Sequence, residues 1–204
     1  MNLYFVRHGA TDARQQAKTQ TPDEPLNDKG LEQAKKLAHR FEDFKLDLVV
    51  SSSYTRALQT ANFISKKVIA SDLFIETRKP SEIVGLAYEN PQVASVLKKI
   101  KEKFVSDPHW HYSDEENFYD LQKRGHQAIK FLESFNQDNI LVVSHGNFIS
   151  FLTSLLFFGD NLTPKIVIDA KKFLRLGNTG ISILTNEHGP WQLKCWNDQA
   201  HLLD

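Results

Sequence analysis

Leu3-Tyr4-Phe5-Val6-Arg7-His8-Gly9 and Ile140-Leu141-Val142-Val143-Ser144-His145-Gly146 are two short apolar runs that each break off into His-Gly. Four successive β-favouring residues read as a buried parallel strand, and open α/β sheets place ligands at the carboxyl ends of such strands. Two histidines carried to the same edge of one sheet can face each other although they lie far apart in the chain. A glycine after each allows a tight turn and a close backbone approach to a ligand.

Outward from these strands the pattern alternates. Residues 9–27 are polar and proline-bearing, which predicts a loop over the sheet edge. Asn27 or Asp28 then caps a helix whose Leu31, Ala34, Leu37, Ala38 and Phe41 form one apolar stripe. Leu46 to Val50 reads as a strand. The helix after it carries a stripe at Ala57, Ala61, Ile64 and Val68, and Leu73-Phe74-Ile75 reads as a further short strand. Residues 76–117 differ in character, with three prolines, several aromatics and a helical piece from Val93 to Phe104. They read as a helical and loop insertion over the active site. Phe118, Leu121, Ala128, Leu132 and Phe135 mark a long helix leading into the second His-Gly strand, and Phe148 to Phe158 a buried helix. Ile181 to Thr185 and Trp191 to Trp196 read as strands joined by a turn through His188-Gly189. The expectation is one α/β domain over residues 1–204, three layers α/β/α around a mainly parallel sheet.

Bulk composition narrows the function classes. A chain of 204 residues buries roughly 70% of its extended surface, so the core needs no staples. Lys+Arg and Asp+Glu both number 25. That balance argues against a broad nucleic-acid or anionic-membrane surface but leaves room for a local anion pocket. Cys195 is the only cysteine, which excludes an intrachain disulfide and a cysteine-built zinc site. The apolar stretch from Phe148 to Phe158 is about half a membrane span. A cytoplasmic location without membrane partners is therefore expected, and no residue pattern sets an oligomeric state.

The chemistry starts at Arg7-His8-Gly9, which puts a cation beside an imidazole at a strand end. A neutral imidazole can attack a phosphoryl group and split one hydrolysis into two transfers. Such transfers need positive charge around the phosphoryl oxygens, which guanidinium groups match bidentately. Arg56, in the first turn of the helix after Leu46–Val50, emerges at the same edge, where the helix N-terminus also favours an anion. His145 is the fourth candidate, protonated or donating to the phosphate. A metal is not expected, because two arginines at one edge repel a cation and no zinc-type His-x-x-x-His spacing lies near.

Four motifs follow in order: Arg7-His8-Gly9, the run from Leu26 to Ala34, Ser52-Ser53-Tyr54-Thr55-Arg56-Ala57-Leu58-Gln59-Thr60-Ala61, and Ser144-His145-Gly146. In this order the chain resembles the histidine phosphatase superfamily, also called the phosphoglycerate mutase-like family, from Leu3 to about Leu184. The resemblance implies that His8 is the nucleophile that becomes a phosphohistidine, with Arg7, Arg56 and His145 completing the phosphate pocket. It implies a carboxylate general acid shortly after the third strand. Glu76 matches best, and Glu82 is a rival six residues on. Family members often carry Asn five positions after the motif glycine, where this chain has Arg14, either an extra phosphate-site cation or a solvated loop residue. The mutase-type Glu-Arg-His-Tyr-Gly is replaced by Glu76-Thr77-Arg78-Lys79-Pro80, which favours phosphatase over mutase.

The expected activity is that of a phosphomonoesterase of the histidine acid type, working without metal or cofactor. Its substrate is a phosphorylated small molecule or a phosphoprotein. A mutase-like phosphotransferase and a non-catalytic phospho-ligand binding module are the alternatives. His109-Trp110-His111-Tyr112 reads either as a substrate contact in the insertion or as a locally packed loop. His39 and His126 read as helix-surface residues.

Overall fold

Strand residues that alternate in direction need an apolar layer on each side of the sheet, and the chain supplies both. In the computed structural model, which describes residues 1–203, the order is β1 (Asn2–Arg7), α1 (Asp12–Gln15), α2 (Asp28–Phe41), β2 (Leu48–Ser52), α3 (Thr55–Ile64) and β3 (Ile69–Ser71). It continues with α4 (Pro91–Ser106), α5 (Phe118–Glu133), β4 (Asn139–Ser144), α6 (Gly146–Phe158), α7 (Pro164–Phe173), β5 (Ile181–Thr185) and β6 (Gln192–Asp198). The strands form a six-stranded sheet in the order β3-β2-β4-β1-β5-β6. The first four run parallel, and β5 and β6 add an antiparallel flank.

Leu3, Phe5, Ile140 and Val142 point into one apolar cluster with Leu121 and Leu132 of α5, Phe148 and Phe151 of α6, and Val167 of α7. Their neighbours Val6, Leu141 and Val143 point the other way, onto Leu37 and Phe41 of α2 and Ala57 and Ala61 of α3. A one-residue slip in either central strand would exchange the two faces, so the register is set by both layers at once. In that register Arg7 pairs with Ser144. The two following residues, His8 and His145, therefore leave adjacent strands at the same level.

The N-cap of α2 is Asn27, whose side chain accepts from the Gly30 amide at 2.9 Å. That end of the helix is pressed onto the first His-Gly loop. A Cβ on Gly9 would lie 2.7 Å from the Gly30 carbonyl oxygen, and one on Gly30 only 2.1 Å from the Ala10 carbonyl oxygen. Gly9 is thus needed for helix approach rather than for approach of a ligand. Gly146 differs again: its nearest neighbour would be the Arg7 side chain at 3.5 Å, an ordinary contact.

Three boundaries differ from the sequence pattern. The expected helix reaching Val68 stops at Ile64, because Ser65 is extended and its hydroxyl bonds locally with Lys67. The third strand is Ile69–Ser71, not Leu73-Phe74-Ile75. The latter run begins in a 3-10 turn, Asp72–Phe74, where Phe74 is buried as a core side chain and not as a ladder residue. Helix α7, capped by Thr163 with Pro164 in its first turn, had no apolar stripe long enough to announce it.

Residues 76–117 hold a small cluster of their own, Ile83, Val93 and Val96. This segment is tied to the polar loop after β1 through Thr19 N to the Leu86 carbonyl at 2.9 Å and Tyr88 N to the Ala17 carbonyl at 2.8 Å. It is tied to the main core by Arg124 of α5. The Arg124 guanidinium donates to both carboxylate oxygens of Glu116 at 2.6 and 2.8 Å, and to the Leu73 and Ile75 carbonyls at 3.0 Å. Among the described residues no helix is long and apolar enough to cross a membrane.

Candidate active site

At the carboxyl edge of β1, β2 and β4 lies a cleft of about 650 Å³, lined by Arg7, His8, Tyr54, Arg56 and Glu76 among others. The His8 ring is buried, and its Nδ1 lies 2.7 Å from the Gly9 carbonyl oxygen. A carbonyl only accepts, so Nδ1 carries the hydrogen. The lone pair of the neutral ring is then on Nε2, to which Arg56 Nε donates at 3.3 Å. Burial holds His8 well below the ordinary imidazole range, and the neighbouring His145, Arg56 and Arg7 push the same way. The ring is neutral at pH 7 with its free electron pair turned toward two guanidinium groups.

Arg56 is 1% exposed. Its Nη1 donates to the Thr21 carbonyl at 2.8 Å, so the polar loop over the sheet edge fixes its orientation. Its Nη2 reaches His145 Nδ1 at 3.3 Å, and the guanidinium lies 5.1 Å from the Tyr54 ring centre. Arg7 is held by Nη1 donating to the Leu176 carbonyl at 2.6 Å, while its Nε is buried without a hydrogen-bond partner. A partly satisfied buried guanidinium beside a nucleophile is a ready donor for an oxyanion.

His145 lies deeper than expected. Its ring centre is 5.0 Å from that of His8 and 5.2 Å from that of Tyr54, and the residue has no exposed surface. With Arg56 donating to Nδ1, the proton sits on Nε2, 2.8 Å from Ser52 Oγ. Burial, then Arg56 and Arg7, hold it neutral. Of the two roles open to it in sequence, a protonated ring is disfavoured by this environment, and donation to phosphate is not prepared here, because Nε2–H faces Ser52 and the residue does not line the cleft.

Glu76 lines the cleft at the N-terminus of α6. Oε1 accepts from the Thr77 and Phe148 amides at 2.8 and 3.0 Å, and Oε2 from the Asn147 amide and side chain at 3.2 Å. Burial alone would raise its pKa, but Lys79, the Thr77 and Asn147 amides and Lys171 outweigh it and hold the carboxyl below its usual value. Glu82 sits on an exposed 3-10 turn, bonds to Tyr112 and does not line the cleft. Arg14, on α1, does line it and acts on Arg7.

Sequence reasoning gave no role to Tyr54, which packs against both Arg56 and His145 inside a motif already quoted, or to Asn178, whose Nδ2 donates to the His8 carbonyl at 2.9 Å. It also missed the cleft cations Lys79, Lys171 and Arg175, since Lys171 lies on the unanticipated α7. His109-Trp110-His111-Tyr112 lines none of the cleft. His109 stacks on Tyr119 at 4.1 Å and His111 bonds Glu115 and Asn117, a locally packed loop.

This sheet, with its paired histidines and guanidinium groups, has close parallels. The chain matches the family model of the histidine phosphatase superfamily (branch 1) over residues 3–199 and belongs to that family. It is 28% identical to the uncharacterized phosphatase PhoE of Bacillus subtilis, over 97% of this chain and 95% of the relative. It is 26% identical to a protein named "Probable phosphoglycerate mutase GpmB" of Proteus mirabilis, over 100% and 96%. Among solved structures it superposes on a mutant of the phosphoserine phosphatase of Entamoeba histolytica in complex with phosphoserine. The TM-score is 0.77 at 28% identity, covering 99% of each chain.

Proposed function

We propose that this protein is a metal-independent phosphomonoesterase that works through a phosphohistidine on His8. The observation that carries the reading is the His8 ring itself, neutral, with Nδ1–H anchored on the Gly9 carbonyl and an unprotonated Nε2 held only by a long 3.3 Å contact from Arg56. In the first transfer His8 Nε2 bonds to phosphorus as the ester P–O bond breaks, and Glu76 gives its proton to the leaving oxygen. In the second, Glu76 takes a proton from water, whose oxygen replaces Nε2 on phosphorus. Arg7 and Arg56 hold the phosphoryl oxygens through both steps, and His145 and Tyr54 support Arg56 from behind. Phosphate monoesters are among the slowest esters to hydrolyse uncatalysed, so preorganised charge of this kind has much to supply.

Lys79, Lys171 and the Thr77 and Asn147 amides favour the ionised form of Glu76, yet the first step needs it protonated. An arriving phosphate dianion adds negative charge beside it and raises its pKa, so substrate loads the acid. A general acid contributes roughly 10²- to 10⁴-fold. The substrate class is a phosphorylated small molecule, by analogy with the phosphoserine bound by the relative.

The relative named as a mutase supports a second reading, in which the phosphohistidine passes its phosphoryl group to another hydroxyl. Glu76-Thr77-Arg78-Lys79-Pro80 in place of the mutase signature favours hydrolysis. The test compares p-nitrophenyl phosphate hydrolysis by wild type and His8→Ala in excess EDTA. Wild-type turnover that disappears in the variant is expected, and equal rates would overturn the mechanism. Free phosphate equal to released alcohol separates hydrolysis from transfer.

A further inference from the structure

A protein of zero net charge lines one cleft with cations it does not neutralise. Beyond Arg7, Arg56 and Arg78, the last of which pairs with Glu116 at 3.8 Å, the walls present Arg14, Lys79, Lys171 and Arg175. None of these four forms an ion pair with any other described residue. Lys172, next in the chain to Lys171, shows the contrast: it points outward and pairs with Asp169 at 2.6 Å. The two carboxylates of the cleft are otherwise engaged. Glu76 accepts from the amides at the start of α6, and Asp114 accepts from the Ser81 amide at 2.9 Å. Lys79 and Lys171 come from separate elements, the segment after β3 and the last turn of α7, yet line the same cleft and act on Glu76 and on each other. Burial weakens the Lys171 charge, Glu76 supports it in part, and Lys79 weakens it again. Cations crowded together in a cleft are stable when an anion completes them.

We propose that Lys79 and Lys171, in a cleft that Arg14 and Arg175 also line, form a second anion subsite, so that the preferred substrate carries a second phosphate remote from the one transferred. This rests on the phosphatase reading for the role of the first phosphate at Arg7, His8 and Arg56. The cleft volume of about 650 Å³ matches a compact metabolite rather than a protein segment. Several unpaired cations exceed what one carboxylate neutralises, which favours phosphate as the second group. Occupancy of the subsite would also cancel the two lysine charges that keep Glu76 ionised, coupling recognition of the second anion to protonation of the acid.

The test uses propyl phosphate, its analogue ending in a carboxylate and its analogue ending in a second phosphate, with wild type, Lys79→Met and Lys171→Met. Wild-type kcat/KM is expected to rise along this series, by about 100-fold from first to last, and each variant to cut that ratio about tenfold. A wild-type ratio near one overturns the subsite. Variants that lower all three substrates equally also overturn it, because the lysines would then act on Glu76 alone. Better turnover of a phosphopeptide than of the bisphosphate overturns the small-molecule substrate. If none of the three is hydrolysed, the phosphatase reading fails separately, and the affinities of the same series measured by calorimetry decide the subsite on the same ratio.

Discussion

His8 is reactive because of where its two nitrogens are sent. One is committed to the Gly9 carbonyl and the other carries its lone pair toward Arg56 in a cationic pocket, so protonation of the ring is opposed from several sides. Two consequences follow at this scale. The nucleophile needs the neutral ring, and its lowered pKa means that kcat/KM is retained as pH falls through 6.5, the ordinary histidine value. Glu76 must be protonated for the first step and is also lowered, so kcat/KM declines as pH rises from the acid side toward neutrality. A pH profile of kcat/KM on p-nitrophenyl phosphate is therefore expected to have an acid optimum, and one centred above pH 7 would contradict the pairing of these two groups. Folding stability has the matching sign. The buried neutral His8 and His145 bind protons less readily than in the unfolded chain. They stabilise the fold above pH 6.5 and lose that contribution as pH falls below it. Thermal melts are expected to show Tm dropping below this pH, with a shallower drop in His145→Asn.

The elements hold Glu76 as firmly as they hold the histidines. Arg124 on α5 bonds the carbonyls on either side of Phe74 and clamps Glu116, which in turn accepts from the Arg78 amide at 3.0 Å. The segment carrying Glu76 is thus gripped from both ends, with the Arg124 guanidinium 4.0 Å from the Phe148 ring centre. Arg124→Met removes the bidentate partner of the 1%-exposed Glu116 carboxylate and leaves it the Arg78 amide and, at 3.8 Å, the Arg78 guanidinium, at a cost of up to about 3–5 kcal/mol. Its surviving folded fraction should show a lower kcat at little altered KM, read by active-site-normalised kinetics beside a denaturation curve. Unchanged kcat would mean that the clamp serves stability alone. None of this was legible in sequence, because Arg124 and Glu116 carry no motif and meet only through tertiary packing. The start of α2 at Asn27 or Asp28 and the apolar runs of β1 and β4 were legible, since both depend on near neighbours. The third strand was misplaced because an apolar triplet cannot by itself distinguish ladder pairing from core packing.

At the scale of the whole molecule, the account joins two facts that separate readings of the chain leave apart. The sequence is neutral, and the sheet edge gathers unpaired cations around one nucleophile. His8, His145, Arg7 and Arg56 could be read from three motifs because strand register and helix start bring them to one edge. Lys79 and Lys171 could not, since they belong to elements whose placement follows from packing on α6. The central claim is a covalent bond between His8 Nε2 and phosphorus. The most direct test is rapid quenching of wild-type enzyme into alkali during turnover, followed by mass mapping of the chain. The account predicts one added phosphoryl group, on His8, that forms and decays within the catalytic cycle. Phosphate on another residue, or turnover with no phosphorylated protein at the earliest times and undiminished rates in His8→Ala, would contradict it.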